Sequence, residues 1–387
     1  APIDLGPEFI QGRLPALMDL AHEAGEPVIE LGGRRWQVSD GRLAPAGADF
    51  PAQVSELLSG ALARQADEDE SIDSFLDKLD LGGSRAVSTS VIRAWVESYD
   101  AADLALLSAQ ALLRERKAEE LIDGSRSFRV VTGYDAVPRA LLARITSGSV
   151  ELQTEVTDVE WTAGRVTVNT RPGGVFSARR LVVALPLGVL QSGSVRFTPA
   201  LPDKDAALTG LVMGPVVKIV FAFKDRFWVE HLPDGVELGF LIAPEEPVRA
   251  WWTGYPLIAP LLVAWSGGPP ADALAKLSLE QRADRALESL ARVLGVGRSV
   301  VDDQVRAWTS HDWSADPLAR GAYSYVRVGG MRAQAELARA VDGTLFFAGE
   351  ATELAGHQAT VHGALFAGQR AADEVLASLG VSTPTTP

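Results

Sequence analysis

The order of apolar and polar positions divides this chain into β-rich and helical stretches. "VVKIVFAF" (216–223) reads as a strand, and a period of two puts Val216, Lys218, Val220 and Ala222 on one face and Val217, Ile219, Phe221 and Phe223 on the other. "LLVAWSGG" (261–268) reads as a second strand. Residues 150–186 read as successive β segments that turn at Ala163-Gly164 and Gly173-Gly174. A helical period governs about Pro15 to Ala24, most of 50–126, and "LSLEQRADRALESLARVLG" at 277–295. Leu345 to Ala348 is a continuous apolar run bounded by Gly349, the pattern of a strand buried on both faces. From Thr360 the period is helical again to about Leu379, with Gly380 as its stop.

Two positions in this pattern carry information beyond secondary structure. The helix from Thr360 holds Gly363, Ala364, Ala367, Gly368, Ala371 and Ala372. Gly in a helix interior costs roughly 1 kcal/mol against Ala, so a close neighbour is expected there. Tight packing on a sheet explains it. So does a helix N-terminus at Thr360 and Val361 aimed at a ligand acceptor, which free N–H groups and the positive dipole end would favour. The second position is Lys218, the one polar residue in an otherwise apolar strand. It reads either as a lysine guarding a sheet edge or as one pointing into a partly dry site, where it could hold a water or assist proton transfer.

Other candidates are more local. Glu350 ends the strand "LFFAGE", at the carboxyl end where α/β sheets bind ligands, and an acid there suits ligand hydroxyls. Trp313 and Tyr323 bracket "SADPLARGAY" and read as pocket walls or as core aromatics. Glu97 is a candidate contact for a distal ammonium or a helix-surface acid. The acidic run "ADEDES" (66–71) reads as a solvated helix face.

Composition narrows the classes. The 387 residues are 47% apolar, enough for two domains or one interleaved pair. A formal charge of −14 argues against nucleic acid and is compatible with a cationic substrate. Cysteine is absent, which excludes disulfides, thiolate metal sites and a cofactor tethered through a thioether. The five histidines show no metal-ligand spacing. No apolar run reaches the roughly 18 residues of a membrane span, so the expectation is a cytoplasmic protein without a membrane partner. The tail 382–387 reads as disordered.

In order along the chain stand "DLGPEFIQG", "FRVVTGYDAVPRAL", "TEVTDVEW", "RRLVVALPLGVLQSGSVRFTPALP", "GPVVKIVFAFKDRFW", "SADPLARGAYSYVRVGG" and "LFFAGEAT…ATVHGALFAGQRAA". Together they resemble the flavin-dependent amine oxidases, the group of monoamine oxidases, polyamine oxidases and histone lysine demethylases. The resemblance implies an α/β fold of two interleaved domains. An FAD-binding, Rossmann-like domain is expected over 1–30, 127–205 and 318–380, and a substrate domain with a mixed sheet over 31–126 and 206–317. It implies Lys218 as the catalytic lysine that holds a water at flavin N5. It implies cofactor contacts at Glu8 and Phe9 beside the isoalloxazine, Val156 near the adenine, Glu350 on the sugar-alcohol chain, and Thr360 and Val361 at the pyrimidine end. Trp313 falls at the flavin and substrate end, with Tyr323 and Thr360 in the substrate pocket. Ala322 stands where some members attach flavin through cysteine, which implies non-covalent FAD.

The family's opening strand, G-x-G-x-x-G turn and helix, which cradle the diphosphate, have no counterpart in this sequence. The expectation is therefore an incomplete FAD site. Two function classes follow. One is an amine oxidase that takes a hydride from the carbon beside a small-molecule amine and passes the electrons to O2. The other is a degenerate member that acts at most as a binding module.

Overall fold

The computed structural model describes residues 2–39, 41–46, 50–63, 68–79 and 89–381. Its largest sheet has seven strands, in the order Val305–Ser310, Val216–Phe223, Leu261–Gly267, Ala250–Trp252, Leu238–Ile242, Arg34–Ser39 and Arg42–Pro45. All neighbours are antiparallel except Leu238–Ile242 beside Arg34–Ser39, so the sheet is mixed. The strand 216–223 runs inside it, with Lys218 opposite Trp265 in the register. The predicted faces hold. Val217, Ile219, Phe221 and Phe223 join Trp36, Trp228 and Trp251 in one core, roofed by the helix Leu279–Leu294. That helix opens with a Ser278–Gln281 capping box and ends on Gly295 in the left-handed region, two devices that set its limits inside the stretch of helical period. The opposite face carries Val220, Trp252 and Val263, and Leu5 and Phe9 pack against it.

A second group of elements surrounds the strand Leu345–Phe347. It pairs in parallel with Leu181–Val183, and the helix Val361–Ser378 packs beside it. The strands Arg196–Thr198, Glu155–Thr162, Arg165–Arg171 and Val175–Ala178 form a four-stranded sheet whose turns lie at the two predicted positions. A three-stranded sheet joins Ile10–Gln11, Ser127–Val130 and Val28–Glu30. Leu211–Gly214 pairs with Tyr323–Val326 and ties the two groups together. The segment 50–126 is helical at Phe50–Ala63, Ile72–Lys78, Thr89–Tyr99 and Ala109–Glu120.

Two expectations are corrected. Residues 68–71 of the acidic run are not helical. Asp69 accepts from Ser108 Oγ at 2.7 Å and from the Gly329 N–H at 2.6 Å, and Ser71 caps the helix Ile72–Lys78. Carboxylates and hydroxyls there satisfy N–H and O–H donors at element ends, a stronger use than solvation of a helix face. The β reading of 150–154 also fails: the first strand begins at Glu155, and Val150 and Leu152 are exposed. A strand needs a neighbour for its backbone groups, and none among the described residues lies beside this segment. Residues 64–67 and the tail 382–387 lie outside the described residues.

Candidate functional site

Lys218 does not guard an edge. It lies between two neighbouring strands and is 2% exposed. Its Nζ donates to Glu8 Oε2 at 2.7 Å and to the Gly6 carbonyl at 3.2 Å. Glu8, equally buried, accepts on Oε1 from Arg129 Nη1 at 2.7 Å and from Trp252 Nε1 at 3.2 Å. Asp4 stands 3.4 Å from Arg129 and accepts from the Tyr134 N–H at 3.0 Å. Burial raises the Asp4 carboxyl above its usual range against the pull of those partners. Lys218, Glu8 and Arg129 are thus interleaved out of water with a half-buried Asp4 beside them, an arrangement in which removing one member leaves an uncompensated charge. The dry setting of Lys218 was anticipated from its strand. Its carboxylate partner was not, because Glu8 lies more than two hundred residues away in sequence.

Glu350 follows Gly349, whose φ of +100° turns the chain sharply out of the strand. Its Oε1 accepts from the Ser324 N–H at 3.1 Å, and its Oε2 from Ser324 Oγ at 2.7 Å and the Ala359 N–H at 2.8 Å. Burial pushes this carboxyl up, while those three donors pull it down. Glu350 therefore fastens the strand 323–326 to the residue just before Thr360. Thr360 Oγ1 donates to the His357 carbonyl at 2.6 Å and accepts from the Gly363 N–H at 2.9 Å, capping the helix 361–378. The N–H groups of Val361 and His362 meet no acceptor among the described residues. Gly363 is explained by packing: a Cβ there would lie 1.8 Å from the His357 carbonyl oxygen. Gly368 is not, since a Cβ there meets nothing within 4 Å.

The turn before Thr360 is held by residues that the sequence did not single out. Glu353 accepts from the N–H groups of Ala355, Gly356 and His357 at 2.7 to 2.9 Å. Gln358 accepts from Arg114 Nη2 at 2.9 Å and Gln334 Nε2 at 2.6 Å, and donates to Glu115. The one available signal was the density of acceptor-rich residues between Glu350 and Thr360.

Glu350, Thr360 and Val361 come together through Ala359. Lys218 makes no direct contact with them. The segment 5–10 touches both groups: Glu8 meets Lys218, Phe9 packs on Trp252 and Phe240 at 5.6 and 6.0 Å between ring centroids, and Ile10 belongs to the cluster against which Val361 packs. Trp313 Nε1 donates to the Leu5 carbonyl at 3.0 Å, which sets its ring against the same segment. Tyr323 donates to the Tyr99 carbonyl at 2.8 Å, so its ring is fixed by a backbone partner. Val156 lies away from this group, packed with Val159, Val183 and Phe347. Glu97 stands 3.5 Å from Arg249, and burial raises its pKa. Its charge already faces a guanidinium.

Tested against a flavin, these residues fit one end of the group. An 18-residue helix begins at Val361 with two free N–H groups, the donors that a flavin's pyrimidine carbonyl and N1 need. Glu350 Oε1 has one acceptor position left for a hydroxyl. For the diphosphate end, the sequence has no G-x-G-x-x-G turn.

The sequence profile described as flavin containing amine oxidoreductase matches residues 1–376. Polyamine oxidase 2 of Arabidopsis thaliana is 33% identical over 282 residues, which cover 72% of this chain and 54% of that protein. Lysine-specific histone demethylase 1 homolog 3 of the same plant is 31% identical over 258 residues, covering 63% of this chain and 15% of that protein. The chain thus spans about half the polyamine oxidase and a smaller part of the demethylase. Among solved structures, wild-type putrescine oxidase bound to putrescine aligns with a TM-score of 0.78 at 22% identity, over 97% of this chain and 88% of that one. Cyclohexylamine oxidase from Brevibacterium oxydans aligns with the same score at 21% identity, over 98% and 88%. These likenesses establish the two-domain α/β fold, and the profile match over nearly the whole chain settles the family. The chain belongs to the flavin containing amine oxidoreductases.

Proposed function

We propose that the chain works as an FAD-dependent amine oxidase on a small-molecule amine, with FAD held without a covalent bond. The segments 1–30, 127–205 and 318–380 would hold the flavin, and 31–126 with 206–317 would shape the amine's side. When bound, the flavin supplies the redox chemistry, accepting a hydride from the carbon beside an uncharged amine and returning the electrons to O2 as peroxide. The observation that carries this reading is the segment 5–10, which joins the buried Lys218 to the free N–H groups at the start of the helix 361–378.

For each residue we propose a role that the family resemblance gives and its contacts allow. The Val361 and His362 N–H groups would donate to the flavin's pyrimidine edge, and Glu350 would keep one lone pair for its sugar-alcohol chain. Phe9 and Trp313 would border the ring, and Val156 would lie toward the adenine. Lys218 keeps a proton donor next to the ring to order a water. Tyr323 and Thr360 line the amine's approach. The neighbouring Ala322 carries no sulfur and makes no tether. Two aromatic walls fixed by backbone acceptors favour a neutral amine close to the ring, and a net charge of −14 favours the approach of the protonated form from solution.

The test is the visible flavin spectrum of the purified protein, and of protein supplied with FAD, followed by peroxide release with mono-, di- and polyamines. Peroxide formed from an amine, with bleaching of the bound flavin when air is excluded, supports the oxidase. A flavin that binds and is never bleached by any amine favours the binding module.

A further inference from the structure

An ammonium has three N–H donors. In Lys218 one goes to Glu8 Oε2 at 2.7 Å and a second to the Gly6 carbonyl at 3.2 Å. One remains. Both acceptors belong to the segment 5–10, not to the lysine's own sheet. A lysine side chain has four rotatable bonds, so its strand fixes where it starts and its acceptors fix where it ends. Glu8 in turn is held by Arg129 on the strand 127–130 and by Trp252 on the strand 250–252. Its carboxylate is therefore pinned from three elements, and the direction of the last Lys218 N–H follows from that pinning.

We propose that Glu8 is a positioning residue for Lys218: it aims the remaining ammonium N–H and supplies the charge that lets Lys218 and Arg129 stand side by side in a buried site. What the aimed N–H serves rests on the flavin reading above. The pairing itself does not.

The charge count gives the pairing a sharp signature. Glu8→Gln leaves Lys218 and Arg129 facing one neutral amide, with Asp4 3.4 Å from Arg129 as the nearest counter-charge. Lys218→Met leaves Glu8 still paired with Arg129. The double variant Glu8→Gln/Lys218→Met leaves Arg129 with Asp4, and the charges balance again. A second substitution should therefore repair the first. The melting temperature of Glu8→Gln should fall furthest, and that of the double variant should recover at least half of the loss. Simple additivity, with the double variant lowest, would overturn the pairing.

The positioning role is read in the holoenzyme, by following flavin reduction by amine and reoxidation by O2 separately. Glu8→Gln should slow the same half-reaction as Lys218→Met, about tenfold or more, and the double variant should be no slower than Lys218→Met alone. Glu8→Asp keeps the charge but draws the carboxylate back by one methylene. It should melt near the unsubstituted protein and still lose several-fold in that half-reaction. Glu8→Asp at the full rate would overturn positioning and leave only charge balance. If the unsubstituted holoenzyme is not reduced by any amine, the oxidase reading fails, and the melting cycle still decides whether Glu8 sets the state of Lys218.

Discussion

The two sheets that flank the candidate site differ in how their strands are supported. In the seven-stranded sheet, Val216–Phe223 has a partner on each side, and both of its faces are covered, one by the helix 279–294 and the other by Leu5 and Phe9. In the other, Leu345–Phe347 has one strand partner among the described residues, Leu181–Val183, and beyond it a single bridge from Leu345 to Val341, while Val182 is 42% exposed in the middle of its strand. Val150 and Leu152 project into solvent from a segment that bends at 152–153 and pairs with no strand among the described residues. The first region could hold Lys218 rigidly. The second holds Glu350 and Thr360 less through its strands than through side-chain bonds from Ser324, Ala359 and the Glu353 turn.

The largest effect should come from supporting the weaker region. Adding a strand, Gly-rich turn and helix of the G-x-G-x-x-G kind, which this sequence does not contain, would offer the diphosphate several backbone donors. Charge-assisted hydrogen bonds contribute roughly 1.5 to 3 kcal/mol each, and roughly 1.4 kcal/mol is tenfold in affinity. Two or three of them predict tighter FAD binding by several orders of magnitude, read from flavin titration of both proteins. Equal affinity would show that the two-stranded sheet already suffices.

Next is a direct comparison of the sheets. Phe221 is fully buried, between Phe223 and Trp251 in the large core. Phe221→Ala should cost about 3 to 5 kcal/mol, measured by denaturant unfolding. Val182→Ala should cost less than about 1 kcal/mol, since much of that side chain is already in water. Similar costs would erase the distinction between the regions.

His362 gives a third, pH-dependent probe, on the weaker side. It is 4% exposed, and burial, with His357 nearby, lowers its pKa to about 4. The unfolded chain protonates it near its ordinary value of 6.5, while the folded chain resists until about 4. Its stabilising contribution is therefore complete above 6.5 and is lost as pH falls from there through 4. At roughly 1.4 kcal/mol per unit, the loss approaches about 3 kcal/mol. His362→Gln should flatten the melting curve in that window. An unchanged slope between pH 4 and 6.5 would mean that other groups set it.

Much of this arrangement was legible in the sequence, for a specific reason. Period-two alternation located Lys218 on its face, and a helical period located the helix 279–294, because both signals are local. The run 345–348 announced a buried strand but not how few strands would support it. Glu8, Arg114 and Gln358 act on partners far along the chain, where no periodicity connects them. Residues 68–71 were misread because an acid that accepts backbone donors and an acid in water look alike in one dimension.

The smallest effect should lie at the seam between the two regions, where the helix 109–120 meets the turn 353–358. Glu115 is 8% exposed and accepts a hydrogen bond from Gln358 Nε2. Burial, with Asp100 and Glu119 close by, raises its pKa well above 4.5. Asp100 is raised to about 6 for the same reason, although the Arg116 guanidinium opposes it. An acid that holds its proton when folded and releases it when unfolded contributes stability below its unfolded value near 4.5, and that contribution is lost as pH rises through the folded pKa. Glu115→Gln keeps an acceptor for Gln358 and never ionises. It should leave stability near pH 4 almost unchanged and raise it at pH 8. The measurement is a pair of melting curves at the two pH values. Destabilisation at pH 8 would mean that Glu115 is ionised in the folded protein and that Arg114 and Arg116 depend on its charge, which would make the seam an ion-pair junction instead of a hydrogen-bonded one.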